Sequence, residues 1–281
     1  MDHPQKWRDT IDPWQLPFQQ FILTEVIGYP HAGNDVFHVK GRYHNADTEA
    51  YIKVARQKGA DLANEAHTLM QLQHPLAPQI LDFDERDHRF LITAAKQGER
   101  LSSILSNDPC ASSVEYLYEY GNALAHLHGS TGDFAPVKDR RFFHIPERQY
   151  FEKHGLTFVH DFLTQNRPKT LSCCFCHGDF HYANILWHQQ HISAILDFEL
   201  SGIGCREFDI AWALIVRPGQ IFLKTDEEIA CFMNGYRAAG SFDQTHVKYF
   251  MVLIYAYFYQ IGADDPSYQV HIMSVFRAYC K

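Results

Sequence analysis

"CHGDFHYANILW", residues 176 to 187, decides how the rest of the chain is read. A loop aspartate, Asp179, follows a histidine and a glycine, and five positions later Asn184 opens an apolar run. Thirteen residues beyond Asn184, a second apolar run closes on Asp197 in "ILDFE". "NILW" and "HISAILD" are short apolar strands separated by "HQQ", so they should pair as an antiparallel hairpin. In its simplest register Asn184 lies opposite Asp197, with Asp179 in the loop just before. An amide oxygen and a carboxylate converging with a third acid are hard-oxygen ligands, the kind Mg²⁺ takes when substrate phosphates fill its other positions. The loop acid stays free to receive a proton. That division of labour suits phosphoryl transfer, where catalysis is mostly positioning and charge neutralisation.

Upstream, "FILTEVIG" (21–28), "DVFHVKGRY" (35–43) and "EAYIKVAR" (49–56) read as strands separated by the turn-prone "YPHAGN" and "HNAD". A helix follows in "DLANEAHTLMQLQHP", capped by Asp61, with an apolar stripe at Leu62, Ala66, Leu69 and Leu72 and a stop before Pro75. "QILDFDER" and "HRFLITAA" form a further hairpin, giving five strands and one helix within residues 1–95. Lys53 stands mid-strand among apolar residues, where a bare ammonium is costly unless paired. Glu65, on or beside the helix stripe, points toward the sheet and is its partner. After "KQGERL" the pattern turns helical, first in "SSVEYLYEYGNALAHLHG" (112–129). Helices resume at 206–216, at 225–240 with a Thr225/Glu228 capping box, at 243–262 and at 266–280. Between them, 173–199 is a short β-rich island.

At 281 residues, 46% hydrophobic and 21% charged, the chain can bury a sizeable core without disulfides or metals, and its length suits two lobes. A net charge of -8 without a Lys/Arg-rich run excludes a nucleic-acid footprint. An acidic surface instead favours cationic small molecules. Glu199, Asp226, Glu227, Glu228, Asp264 and Asp265 are candidates to line a pocket for an amine-bearing acceptor, with helix capping the competing reading for most of them. The run "YFMVLIYAYFYQI" (249–261) falls short of the roughly 20 residues a bilayer span needs and reads as a core helix, so no membrane partner is expected. The opening "MDHPQKWRDTIDPWQLPF" lacks the apolar stretch of a signal peptide, which points to a cytoplasmic location. "CCFCH" (173–177) reads as buried free thiols in a strand, because strand neighbours face opposite ways and no second ligand pair follows at zinc spacing. Composition leaves the oligomeric state open.

"HGDFHYANIL" resembles the catalytic loop, H-G-D then four residues and N, of the protein-kinase-like small-molecule phosphotransferases: the aminoglycoside phosphotransferase and choline kinase superfamily. "ILDFELSGIGCREFDIAWAL" is similar to that superfamily's metal-binding D-F-E motif, followed by a helix with a buried acid, here Asp209. Protein kinases share the layout but use H-R-D and D-F-G. Here Gly178 and Glu199 take those places, and no A-P-E segment precedes the Asp209 helix, so a phosphorylatable activation loop has no room.

The resemblance implies an α+β, bilobal protein-kinase-like fold. An N-terminal five-stranded antiparallel sheet with one helix, residues 1–95, would bind nucleotide, and a mostly helical C-terminal lobe, residues 96–281, would hold the catalytic loop and the acceptor. It implies Asp179 as the catalytic residue that accepts or orients the hydroxyl proton, and Asn184 and Asp197 as ligands of Mg²⁺. Lys53 and Glu65 would hold the α- and β-phosphates of ATP or GTP. Gly33 and Asn34 in "YPHAGNDVF" would tip the nucleotide-covering loop, and "LITAAKQGERL" would be the hinge. His177 is expected to organise the loop and Asp209 to brace it, while His181 has no assigned role. The implied activity is ATP-dependent transfer of the γ-phosphate to a hydroxyl of a small, cationic molecule, such as an aminoglycoside, a choline-like amine or a sugar. The alternatives are a kinase-like module that holds nucleotide without turnover, and a regulatory protein kinase.

Overall fold

Period-two alternation along the first strands buries one face of their sheet in a single apolar cluster and turns the other face toward a cleft. The computed structural model describes residues 12–30, 34–56 and 60–280. Its first half holds β1 (Phe21–Gly28), β2 (Asp35–Tyr43), β3 (Ala46–Val54), α1 (Leu62–Gln71), β4 (Ile80–Phe83) and β5 (Phe90–Ala94). The strands form one antiparallel sheet in the order β1-β2-β3-β5-β4. Ala50, Ile52 and Val54 of β3 pack with Phe37, Val39, Phe90 and Ile92 in one buried cluster. Tyr51 and Lys53 therefore point to the opposite face. His44 and Asn45 both adopt left-handed backbone, φ 48° and 65°, as a two-residue hairpin turn requires. The turn is tighter than "HNAD" suggests, so β3 begins at Ala46 rather than Glu49.

On α1, Asp61 caps the first turn by accepting from the Asn64 amide at 3.1 Å. Leu62, Ala66, Leu69 and Leu72 then pack into the core of the second half. The helix is thus the wall between the lobes.

The second half comprises α2 (Leu101–Asn107), α3 (Val114–His128), α4 (Arg148–Lys153), α5 (Thr157–Gln165), β6 (Cys173–Cys176), β7 (Ile185–His188), β8 (His191–Ile195), β9 (Gly202–Cys205), α6 (Arg206–Leu214), α7 (Asp226–Arg237), α8 (Gln244–Ile261) and α9 (Pro266–Tyr279). The capping box of α7 forms through Thr225 and Glu228, and α8 is buried along most of its length. Among the described residues no helix is long and apolar enough to cross a membrane. Helices α3 and α7 meet where Gly121 lies against the Phe232 carbonyl, leaving no space for a Cβ. Short α2, α4 and α5 offer only two turns or so of periodicity, too little to read from sequence. Strand β9, "GIGC", has low strand propensity and exists because β6 pairs with it.

The β7–β8 hairpin forms as expected, but its register differs by one. Gln189 and Gln190, both left-handed at φ 50° and 67°, make the turn, and an irregularity falls between Leu186 and Trp187. Ile185 pairs with Ile195, and the Leu196 amide donates to the Asn184 carbonyl at 2.7 Å. Asn184 accordingly faces Leu196, and Asp197 lies one residue past that point in left-handed backbone, φ 66°.

Candidate active site

Asp209, in the first turn of α6, builds the loop that follows β6. Its Oδ1 accepts the Gly178 amide at 3.0 Å, and its Oδ2 accepts the His177 amide at 2.8 Å and His128 Nε2 at 3.1 Å. Burial pushes this carboxyl up, but the His128 hydrogen bond, neighbouring histidines and the backbone donor outweigh it and hold it below the ordinary carboxylate value. His177 accepts from the Asp179 amide through Nδ1 at 3.2 Å and donates from Nε2 to the Leu196 carbonyl at 3.0 Å. Both bonds need a neutral ring, and burial lowers its pKa accordingly. Gly178 sits at φ 79°, and a Cβ there would strike the Leu200 carbonyl. The expectations for His177 and Asp209 are met by these contacts.

Asp179 is pinned on several sides. Trp212 Nε1 donates to Oδ1 at 2.7 Å, while Asn184 Nδ2 and His181 Nε2 lie 3.4 Å from Oδ2. Asn184 Nδ2 also donates to the Asp179 carbonyl at 3.0 Å, which leaves its amide oxygen for another partner. Burial raises the Asp179 carboxyl, but the hydrogen bond and charge of His181 and the charge of Arg217 hold it below its usual value. An ionised carboxylate is able to accept a hydrogen bond from a hydroxyl. Trp212 escaped the sequence reading. The available signal was its spacing: it stands three residues after Asp209, so one face of α6 both braces the loop and grips its acid.

Across the cleft, Lys53 Nζ lies 2.8 Å from Glu65, 2.6 Å from Asp197 and 2.9 Å from Glu199. Burial works against the ammonium, but the three carboxylates outweigh it and keep Lys53 charged, its pKa far above the ordinary value. Burial in turn pushes the Glu65 carboxyl up. Glu65 uses its other oxygen to accept the Phe198 amide at 3.2 Å, and Asn64 donates to the Glu199 and Ser201 carbonyls at 3.0 and 2.9 Å. Helix α1 thereby fastens the "DFE" segment to the sheet.

Asn34 is tied inward, donating to Glu199 at 2.9 Å, rather than standing at a loop tip; Gly33 lies outside the described residues. The acids expected around an amine are not gathered at Asp179. Glu199 serves Lys53 and the Asp61 amide, Glu228 completes its capping box and accepts from Ser113 at 2.6 Å, and Asp265 caps α9. Asp226, Glu227 and Asp264 face solvent. All six serve capping, Lys53 or hydration, which the charge count alone does not distinguish.

A cleft of about 380 Å³ runs between the lobes, with Lys53, Glu65, Asn184 and Asp197 among its lining and Val36, Ala94, Leu186 and Leu196 as apolar walls. Glu65, Asp197 and Glu199 offer carboxylate oxygens within 4.8 Å of one another, and the Asp197 side chain is 40% exposed. With the Asn184 amide oxygen, this donor set of hard oxygens fits Mg²⁺. Behind the loop, Cys174 and Cys176 share one face of β6 with their sulfurs 3.8 Å apart. Hydrogen bonding from Cys176, and the charges of His128 and Arg206 against the opposing effect of burial, push the Cys174 thiol down to about 6.

The sequence profile of the phosphotransferase enzyme family matches residues 29–242. The chain belongs to that family. This phosphotransferase is therefore a small-molecule kinase with a hydroxyl acceptor. Among curated proteins, none matches its sequence significantly. Solved structures similar to the phosphotransferase include choline kinase LicA from Streptococcus pneumoniae, at 15% identity over 92% of this chain and 94% of that one, TM-score 0.57. Aminoglycoside phosphotransferase APH(4)-Ia is similar at 13% identity over 91% and 94%, TM-score 0.59. Amicoumacin kinase hAmiN, in complex with AMP-PNP, Ca²⁺ and Ami, is similar at 16% identity over 91% and 87%, TM-score 0.53. At these identities the likeness speaks for the fold, which is α+β, bilobal and protein-kinase-like.

Proposed function

We propose that this phosphotransferase moves the γ-phosphate of ATP to the hydroxyl of a small acceptor through Lys53, Glu65, Asp179, Asn184 and Asp197. Residues 1–95 form the nucleotide lobe in this reading and residues 96–281 the catalytic lobe. Its main support is convergence. Lys53 from β3, Glu65 from α1, Asn184 before β7 and Asp197 after β8 line one cleft, and Asn184 hydrogen-bonds Asp179 from the loop after β6.

Lys53, oriented by Glu65, meets the α- and β-phosphates, and the apolar walls of the cleft receive the base. Asp197 and the Asn184 amide oxygen would hold Mg²⁺, which supplies charge neutralisation on the phosphate tail when bound. Asp179, fixed by Trp212 and kept ionised, accepts the hydrogen bond of the acceptor hydroxyl and takes its proton as the new P–O bond forms and the bond to the leaving ADP breaks. Lys53 holds Asp197 in the nucleotide-free arrangement, so that carboxylate is already turned into the cleft. Use of ATP as donor suits a cytoplasmic location.

The test is ADP release from ATP, and separately GDP release from GTP, over a panel of hydroxylated acceptors, with Asp179→Ala and Asp197→Ala as controls. Asp179→Ala should lose about 10²- to 10⁴-fold in kcat, and Asp197→Ala should lose turnover as well. Both should keep the wild-type circular dichroism spectrum, because both sites are polar loop ends. Full activity in either variant refutes the assignment.

A further inference from the structure

The acceptor hydroxyl has to reach Asp179, and the ground around that carboxylate is positively charged. Two guanidinium carbons flank the indole that holds Asp179: Arg140 at 5.2 Å and Arg217 at 5.3 Å from the Trp212 ring centroid. Arg140 is engaged, donating from Nη2 to the Gly178 carbonyl at 2.7 Å. Arg217 is engaged on one side only. Its Nη1 donates to the Ile215 carbonyl at 3.1 Å and reaches the Trp212 carbonyl at 3.5 Å, closing the end of α6. Its Nη2 is sealed from solvent and has no hydrogen-bond partner.

The hydroxyl of Tyr120 is a second sealed donor without a partner, on a ring stacked against Phe180 of the catalytic loop, 5.1 Å between centroids. Arg217 lies over the indole that donates to Asp179, and Tyr120 stacks on Phe180, the residue that follows Asp179, so the three groups share one neighbourhood. A cationic N–H shut away without an acceptor is costlier than a neutral one. The carboxylates are engaged with other groups: Asp179 with Trp212, Asn184 and His181, Glu228 with its cap and Ser113, Asp209 with the loop, and three with Lys53.

We propose that Arg217 Nη2 and the Tyr120 hydroxyl receive an anionic oxygen group, a carboxylate or phosphate, that the acceptor bears a few bonds from the hydroxyl presented to Asp179. This rests on the phosphotransferase reading and names its substrate class. An oxyanion with two oxygens meets a guanidinium and a phenol with one charge-assisted bond each. A polyamine acceptor would instead bring like charge against two guanidiniums. The acidic net charge of the chain, -8, points the other way, but it is a whole-surface quantity, whereas recognition is set by the groups within a few ångströms of the ligand.

The experiment uses the full chain saturated with Mg²⁺ and a non-hydrolysable ATP analogue, so that anions have no access to the nucleotide cleft. Calorimetric titration compares glycolate and glycerol 3-phosphate with ethylene glycol and choline, and ADP release is measured for the same four with ATP. Either anion should bind at least about 10-fold tighter than both counterparts, the difference expected of a hydrogen bond to a charged group. Which anion wins separates carboxylate from phosphate. Arg217→Met should abolish that preference and leave analogue binding unchanged. Arg217→Lys, which keeps charge but loses the planar fork, and Tyr120→Phe should each reduce it, which covers a Met variant that fails to fold. Equal or tighter binding of choline or ethylene glycol, no binding of either anion at about 10 mM, or an undiminished preference in all three variants overturns the proposal. An anion preference without ADP release from any acceptor supports the site while refuting phosphoryl transfer. ADP release that favours choline refutes the site alone.

Discussion

Replacing Asp209 with Asn changes one atom at the most connected point beneath the catalytic loop. The carboxylate takes three donors, one on Oδ1 and two on Oδ2, and is fully buried. An amide can accept only on its oxygen. Seated where Oδ2 was, that oxygen keeps the His177 amide and His128, and the new NH₂ then confronts the Gly178 N–H. The orphaned amide costs about 1–3 kcal/mol, and two bonds falling from charge-assisted to neutral cost about 1 kcal/mol each. Relief from burying a charge offsets part of this, so Asp209→Asn should lose about 2–4 kcal/mol. Urea unfolding at pH 7 reads it as a lower midpoint at unchanged slope. Because Gly178 precedes Asp179, kcat should fall as well, in conditions where the variant is fully folded.

The pH dependence has a definite sign. Asp209 has a depressed folded pKa, so its contribution is complete above the unfolded aspartate value, about 3.9, and is lost as pH falls through the lower folded value. The gap between wild type and Asp209→Asn should therefore be constant from neutral pH down to about 4 and close below it. Wild-type stability and turnover in Asp209→Asn, or a gap that closes already at about pH 6, would refute the reasoning.

Trp212→Phe keeps the ring between the two guanidiniums but removes the 2.7 Å bond to Asp179, and should lower kcat about 10-fold with the nucleotide KM unchanged; a wild-type kcat would show that His181 and Asn184 suffice. Lys53→Met leaves Glu65, Asp197 and Glu199 facing one another without a cation, so the nucleotide-free protein should be destabilised by about 3 kcal/mol, measured by urea unfolding, and millimolar Mg²⁺ should recover part of it. With its thiol pushed down to about 6, Cys174 should be alkylated by iodoacetamide at a rate that levels off near neutral pH, followed by peptide mass spectrometry; a rate still climbing through about pH 8.5 would contradict that ionisation.

Some features of this protein were settled within a few residues of chain. The face of β3 that carries Lys53 follows from strict alternation with Ala50, Ile52 and Val54. Asp61 and the Thr225/Glu228 pair cap their helices because the donors they serve are three residues away. The order H-G-D, N, D-F-E likewise records local demands, such as a left-handed Gly178 with no space for a side chain. These depend on sterics and hydrogen bonds between near neighbours, which the order of residues states directly.

Other features exist only once distant segments pack. The irregularity in β7 that moves Asn184 opposite Leu196 depends on the whole hairpin, and β9 is a strand only because β6 lies beside it. Glu199 reads as a pocket acid until Lys53, far back on β3, reaches it at 2.9 Å. Trp212, Arg140 and Arg217 look like ordinary helix and loop residues until α6 docks and gathers them around Asp179. Each such contact joins groups separated by tens of residues, and its formation is set by how the entire core fills space. A motif can therefore name the reacting groups, while the charge that surrounds them, and with it the choice of acceptor, is decided by packing.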